Sequence, residues 1–446
     1  MNSGTRSWSE RYSQLVLTPD EAVARVHSGD MVYASGGIGQ PLAVLSALSR
    51  RRDLRRVTLA TADTLVPPDY LVRQYLAANQ GEASDGGIRH TTLQVGPGDR
   101  DGVMSGVADF IPVDGTMTWT GFPSRHLDVL IVGSSGMDDE GNLNLSCSVD
   151  WLPELIAAAE QNGTLLIVEV NRKLPWTEGH STFRLESVDC IVESERDPIG
   201  LPAGPVLPEA SAVGAFLASL VPDEATLHVG LGDLVAQACA SLERKRDLGV
   251  HSDLLCDVFL HLHQRGALTC RRKGFLDGRW VGSRVLGSPS LLALVNRNPA
   301  VELHPIEFVA ETANIQRNRR MVSVTQAALV DLMGQVAAQS GQWECHSNGG
   351  IQHTFHRAAS RCPEGVGIVV LPSSHLDSTQ SSVVPHMPLG TLVTIPAQDV
   401  DCVVTEHGVA RLRGCTLRQR VLGLVAVAHP AHRDRLAFEA RKLRLI

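Results

Sequence analysis

The chain repeats one local pattern: a short apolar run, a glycine-marked turn, then an amphipathic helix. Asp30-Met31-Val32-Tyr33-Ala34 runs into Ser35-Gly36-Gly37-Ile38-Gly39-Gln40-Pro41 and a helix through Leu48. Leu227-His228-Val229 runs into Gly230-Leu231-Gly232-Asp233 and a helix from Leu234. Strands alternating with helices must pair in parallel and be covered by those helices, which predicts an α/β fold with open, mainly parallel sheets. Further strands are predicted at Val57–Thr61, Thr91–Val95, Leu127–Val132, Thr164–Val170, Met321–Ala328, Gly367–Leu371, Thr391–Ile395 and Cys402–Thr405. Thr18-Pro19-Asp20-Glu21 starts a helix with an N-cap, a first-turn proline and first-turn acids. Other helices are predicted from about Trp151, Glu209 and Val258, with two more around His429-Pro430.

At 446 residues the chain is long enough for two cores. Ser194 to Pro208 carries four prolines and two glycines, which places a boundary there. The expected domains are 1–200 and 201–446. Net charge is −8 and no basic block stands out, which argues against nucleic acid as a partner. No apolar run approaches the ~20 residues that span a bilayer. Met1 to Glu10 is polar and lacks a signal-peptide core. These features predict a cytoplasmic protein that binds neither nucleic acid nor membrane.

Nine cysteines are present, an odd number with no CxxC pair, so disulfides and zinc are poorly supported. Asp138-Asp139-Glu140 admits a metal reading, but Asp-Glu-Gly-Asn is foremost a turn. His261 and His263, two apart on a helix, face different ways and make a poor ligand pair. No metal is expected. Of 40 basic residues only Lys173, Lys245, Lys273 and Lys442 are lysine, so anionic groups must be held by arginine or backbone N–H.

One stretch places an acid just after a short apolar run in the second half: Gly249-Val250-His251-Ser252-Asp253-Leu254-Leu255-Cys256-Asp257. In α/β folds that position faces a ligand crevice. Gly36-Gly37 with Gln40, and Gly230 with Gly232, are either anion cradles or plain strand-to-helix turns.

The order of motifs resembles the acetyl-CoA hydrolase/transferase family, close to 4-hydroxybutyrate and butyrate:acetate CoA-transferases. Val403-Val404-Thr405-Glu406-His407-Gly408-Val409-Ala410-Arg411-Leu412-Arg413-Gly414 is similar to the family's VVTEYGIAxLRG. Ala428-His429-Pro430 with Arg433 and Leu436 is similar to AHPxFRxxL. Asp139-Glu140-Gly141 through Ser148-Val149-Asp150, and Leu332-Met333-Gly334-Gln335-Val336, match two further motifs. The resemblance spans about Thr18 to Leu436. It implies two CoA-transferase-type α/β domains with the active site between them and CoA mainly on the C-terminal one. It also implies a carboxylate nucleophile that passes through an acyl anhydride and an enzyme–CoA thioester.

The resemblance breaks at the nucleophile. The family's HSEMFSDG reads His251-Ser252-Asp253-Leu254-Leu255-Cys256-Asp257-Val258, with Asp253 in the glutamate's place and Val258 in the closing glycine's. The loop GxGGQxxF reads Asn348-Gly349-Gly350-Ile351-Gln352-His353-Thr354-Phe355, so Asn348 and Ile351 replace glycines. An aspartate from an unchanged backbone sets its oxygens back by about 1 Å or more, enough to cost on the order of a hundredfold where attack geometry matters. Ile351 disfavours the positive φ that glycine allows.

Three readings follow. In the first, a CoA-transferase uses Asp253 as nucleophile. In the second, an acyl-CoA thioesterase or acyltransferase to a hydroxyl or amine uses Asp253 as general base, with His251 as a possible assistant. In the third, the protein binds acyl-CoA without turnover. The expected catalytic residue is Asp253, with backbone donors at Gly349, Gly350 and Leu234. CoA or substrate contacts are expected at Gly230, Gly232, Gln352, Gly37 and Gln40. No tightly bound cofactor is expected. CoA enters as substrate, with a small carboxylate or other acyl acceptor as partner and a homodimer as the assembly.

Overall fold

The computed structural model describes residues 7–81, 87–116, 126–200, 204–341, 344–345, 349–375 and 379–446. Asn348, and Pro202 of the proline-rich stretch, lie outside the described residues. The chain divides into two compact units: Met1–Leu201 with Ser283–Glu307, and Pro202–Gly282 with Phe308–Ile446.

The first unit is built on seven parallel strands. Their order across the sheet is Cys190–Ser194, Leu165–Asn171, Val129–Ser134, Met31–Ala34, Val57–Thr61, Ile88–Thr92 and Ala108–Phe110. Strands Val129–Ser134 and Leu165–Asn171 are almost wholly buried, as a sheet covered on both faces requires. The chain first builds outward from Met31–Ala34, then returns to its other side with Val129–Ser134. In open α/β sheets a reversal of this kind marks the ligand crevice, at the carboxyl ends of the two strands. The core packs Val44, Leu45 and Leu48 of helix Leu42–Arg50 against Val32, Leu59 and Ile131. Thr18 caps its helix through a reciprocal pair with Glu21, with Pro19 in the first turn.

The second unit has six strands in the order Gly249–Val250, Thr226–Val229, Met321–Gln326, Val366–Val370, Cys402–Thr405 and Gly408–Arg411. All pair in parallel except the last, which closes an antiparallel hairpin. Here too the chain steps to one side of its first strand and then to the other. The reversal lies between Thr226–Val229 and Met321–Gln326. The core gathers Val369, Val403, Leu412, Val421 and Leu424 under the two C-terminal helices, Leu417–Val427 and Pro430–Lys442.

Two predicted elements differ. Thr391–Ile395 forms no strand; only Ile395 bridges, to Val336. Pro388 and Pro396 flank the segment and Leu392 and Val393 are exposed, so the apolar run has no sheet to enter. The strand expected at Thr91–Val95 is Ile88–Thr92, because the run continues past the sheet edge into a turn held by Asp63 N–H on the Gln94 carbonyl.

Among the described residues no helix is long and apolar enough to cross a membrane.

Candidate active site

Asp253 follows the edge strand Gly249–Val250 of the second unit, and only 8% of its surface is exposed. Its Oδ1 lies 3.1 Å from Nε2 of His228, in the neighbouring strand Thr226–Val229. Nδ1 of the same ring lies 2.9 Å from Oγ of Ser323, which sits opposite His228 in the next strand over. The imidazole also stacks on Phe355, with centroids 4.0 Å apart and planes 11° from parallel. Two adjacent strands and the turn that follows a third thus contribute one polar row, Ser323–His228–Asp253, with Phe355 stacked on its ring.

Residues near Asp253 are otherwise committed. His251 is fully buried and turns Nε2 to the Val309 carbonyl at 2.7 Å. Ser252 N–H donates to the Val281 carbonyl, anchoring the turn that carries Asp253. Burial pushes the Cys256 thiol up to about 12, so this neighbour stays protonated near neutral pH. Val258 is buried in helix Asp257–Gln264, where a glycine's freedom is not needed.

The reversal point of this sheet collects the other residues. Gly232 has φ of +147°, and a Cβ there would collide with the side-chain amide of Gln326. That amide oxygen accepts from the Leu234 N–H at 3.1 Å and the Val235 N–H at 3.4 Å, capping helix Asp233–Cys239. The backbone donor expected at Leu234 is therefore spent on Gln326. Gln352 Nε2 donates to the Gln326 carbonyl at 3.2 Å, which ties helix Gln352–Arg361 to the same strand end. Gly349 (φ +73°) and Gly350 (φ +54°) take the left-handed conformations, while Ile351 sits at φ −109° and is buried. The two surviving glycines thus make the turn that Ile351 could not.

Gly37 and Gln40 lie at the reversal point of the first unit's sheet. Gly37 N–H donates to the Asp63 carbonyl at 2.9 Å. Gln40 Oε1 accepts from the N–H groups of Leu65 and Val66, and its Nε2 donates to the Val66 carbonyl. A Cβ on Gly36 would collide with the Ala62 carbonyl, and one on Gly133 with that of Gly39. These glycines serve close backbone packing. Beside them Arg284 pairs with Asp63, and burial lowers its guanidinium to about 10.

A cavity of about 690 Å³ in the first unit is lined by Arg172, Lys173, Trp176 and Arg297 among others. Acids already match two of its cations: Lys173 Nζ lies 2.7 Å from Asp197 and Arg172 3.6 Å from Glu193. It contains none of the residues to which the sequence assigned a catalytic or binding role. Among the described residues no three His, Cys, Asp or Glu side chains could hold a metal ion. Asp138 instead closes its own turn, accepting from the N–H groups of Glu140 and Asn142.

Sequence reasoning assigned no role to His228, Ser323 or Gln326. The available signal was a histidine inside an otherwise apolar strand, since a buried ring nitrogen must find a partner.

Comparison with known proteins sets this geometry in a family. The acetyl-CoA hydrolase/transferase N-terminal domain matches residues 1–201 and the corresponding C-terminal domain matches residues 287–440. Succinyl-CoA:cyclohexane-1-carboxylate CoA transferase of Geobacter metallireducens is 33% identical, over 100% of this chain and 99% of that one. The 4-hydroxybutyrate coenzyme A transferase of Clostridium kluyveri is 31% identical, over 98% and 99%. The crystal structure of RipA from Yersinia pestis superposes with a TM-score of 0.90 at 26% identity, covering 99% of this chain and 100% of that one. The chain belongs to the acetyl-CoA hydrolase/transferase family, whose members are CoA-transferases and acetyl-CoA hydrolases.

Proposed function

We propose that the protein transfers CoA between carboxylates, with Asp253 as the nucleophile. One observation carries this reading: Asp253 is a nearly buried carboxylate whose Oδ1 is held 3.1 Å from a ring that is itself held on two further sides. A fixed carboxylate in a largely dry setting has lost the solvation and rotational freedom that oppose attack on a thioester. The family relationship over the whole chain supports a thioester as the target.

In this reaction Asp253 attacks the acyl-CoA carbonyl and expels CoA thiolate, leaving an acyl–aspartyl anhydride. The thiolate returns to the aspartyl carbon and releases the first carboxylate. A second carboxylate then takes the CoA by the reverse steps. Gly349 and Gly350 supply backbone donors near the thioester oxygen, and Gly230, Gly232 and Gln352 border the approach for CoA. Acyl-CoA and a small carboxylate are the partners, and CoA is a substrate with no resident cofactor needed.

The test is incubation with acetyl-CoA and labelled acetate. Exchange of label into acetyl-CoA is expected, with borohydride or hydroxylamine trapping at Asp253 only while acyl-CoA is present. Asp253→Asn should reduce exchange by at least about 10³-fold, since a neutral amide cannot act as the nucleophile. Free thiol release without exchange or trapping would instead assign Asp253 as a general base for hydrolysis.

A further inference from the structure

The ring that holds Asp253 points at the carboxyl group where half of the proposed chemistry takes place. A ring nitrogen facing a carboxylate oxygen carries a hydrogen, and both the neutral and the charged imidazole can place one on Nε2. Ser323 can serve either state, because a hydroxyl both donates and accepts. Stacking on Phe355 fixes the ring plane, and His228 is only 2% exposed. The row has the membership of a Ser-His-Asp nucleophilic triad but runs the other way. Its serine is the fully buried end at 0% exposure, and its acid is the more accessible end at 8%.

We propose that His228 is a catalytic residue of the CoA-transfer reaction. Its Nε2–H donates to Oδ1 of Asp253 when that oxygen bears the negative charge of the tetrahedral intermediate at the enzyme's own carboxyl carbon. This role rests on Asp253 being the nucleophile. Attack through Oδ2 leaves Oδ1 as the carbonyl oxygen of the anhydride. The CoA sulfur then bonds to Cγ, and the carbonyl π pair moves onto Oδ1, where the Nε2–H meets it. When that pair returns, the Cγ–Oδ2 bond breaks and the first carboxylate departs with Oδ2 and its bonding electrons. The acceptor carboxylate passes through the same centre in reverse. No proton changes hands, and no oxidant or cofactor is required. A preset donor at a developing oxyanion acts most strongly where water is excluded. Ser323 is a positioning residue that keeps the ring turned toward Asp253.

The test follows formation of the enzyme–CoA thioester from acetyl-CoA in a single turnover, by mass spectrometry of quenched protein, with thermal unfolding alongside. His228→Ala should slow thioester formation by about 10²–10³-fold while half-saturation by acetyl-CoA changes much less. His228→Gln, which restores an N–H donor, should recover to within about tenfold of the wild type. Ser323→Ala leaves the ring in place without its second anchor and should slow the same step at least about fivefold. Equal rates in wild type and His228→Ala overturn the proposal. Should His228→Ala not fold, an unchanged rate in Ser323→Ala overturns it. Absence of enzyme–CoA in the wild type itself refutes the nucleophile reading and this role together, an outcome separate from the other two.

Discussion

At the scale of single residues, the difference between aspartate and glutamate is one methylene, and the surroundings of Asp253 leave little room for a second. Its carboxylate already meets His228 at 3.1 Å, and that ring is backed by Ser323 and Phe355. A glutamate there must advance its carboxylate by ~1.5 Å into the ring or fold its extra carbon aside. Overpacking of this kind costs about 1–3 kcal/mol, and misplaced attack geometry costs more in rate. Asp253→Glu is therefore expected to lower the unfolding temperature and to slow CoA exchange by about 10–100-fold. Faster exchange at an unchanged unfolding temperature would show that the site has kept space for the longer acid. The shortened acid was legible in the sequence as a substitution within a motif. The histidine that fills the space beside it was not, because His228 and Asp253 are 25 positions apart and meet only when strands Thr226–Val229 and Gly249–Val250 pair.

At the scale of elements, the glycines divide into those fixed by packing and those fixed by backbone conformation. Gly133 lies within an interior strand, and an added methyl there would strike the Gly39 carbonyl, a backbone group that cannot swing aside. Gly350 has φ of +54° with open space around its missing side chain. Gly133→Ala should destabilise the fold by about 3 kcal/mol or more, as a core overpacking. Gly350→Ala should cost only about 1–2 kcal/mol of left-handed strain. Urea unfolding of the two variants checks the order, and a Gly350→Ala penalty equal to that of Gly133→Ala would sink the distinction. The sequence marked both regions as turns or strands because apolar runs and glycines are local features. It left open whether Gly36-Gly37 cradles an anion, since that depends on Asp63 and Leu65-Val66 arriving from the next strand. It overextended at Thr391–Ile395, where composition suits a strand but flanking prolines and exposure prevent one.

At the scale of the whole molecule, stability in acid turns on groups that the fold keeps uncharged. His356 is fully buried, and its Nε2 accepts the Asp401 N–H at 3.3 Å, a bond that needs the unprotonated nitrogen. Desolvation first, and then the nearby His353, Arg413 and His228, lower it to about 3, against a smaller upward pull from Asp399. The unfolded chain binds a proton at this histidine near pH 6.5, whereas the fold refuses it until about pH 3. The full contribution is present above about pH 6.5, and stability falls as pH drops through that interval. Asp401, raised by burial, works in the opposite sense: it holds a proton that the unfolded chain has released, so its contribution falls as pH rises above the usual aspartate value. Between pH 7 and 5 the His356 effect amounts to about 2 kcal/mol, larger than most surface charges supply. His356→Gln removes the titration but keeps an acceptor for the Asp401 N–H. Its unfolding free energy, measured in urea at pH 7 and pH 5, should drop by about 2 kcal/mol less than that of the wild type over the same interval. Equal drops in the two proteins would mean that the fold admits a proton or water at His356, and that its acid sensitivity arises elsewhere.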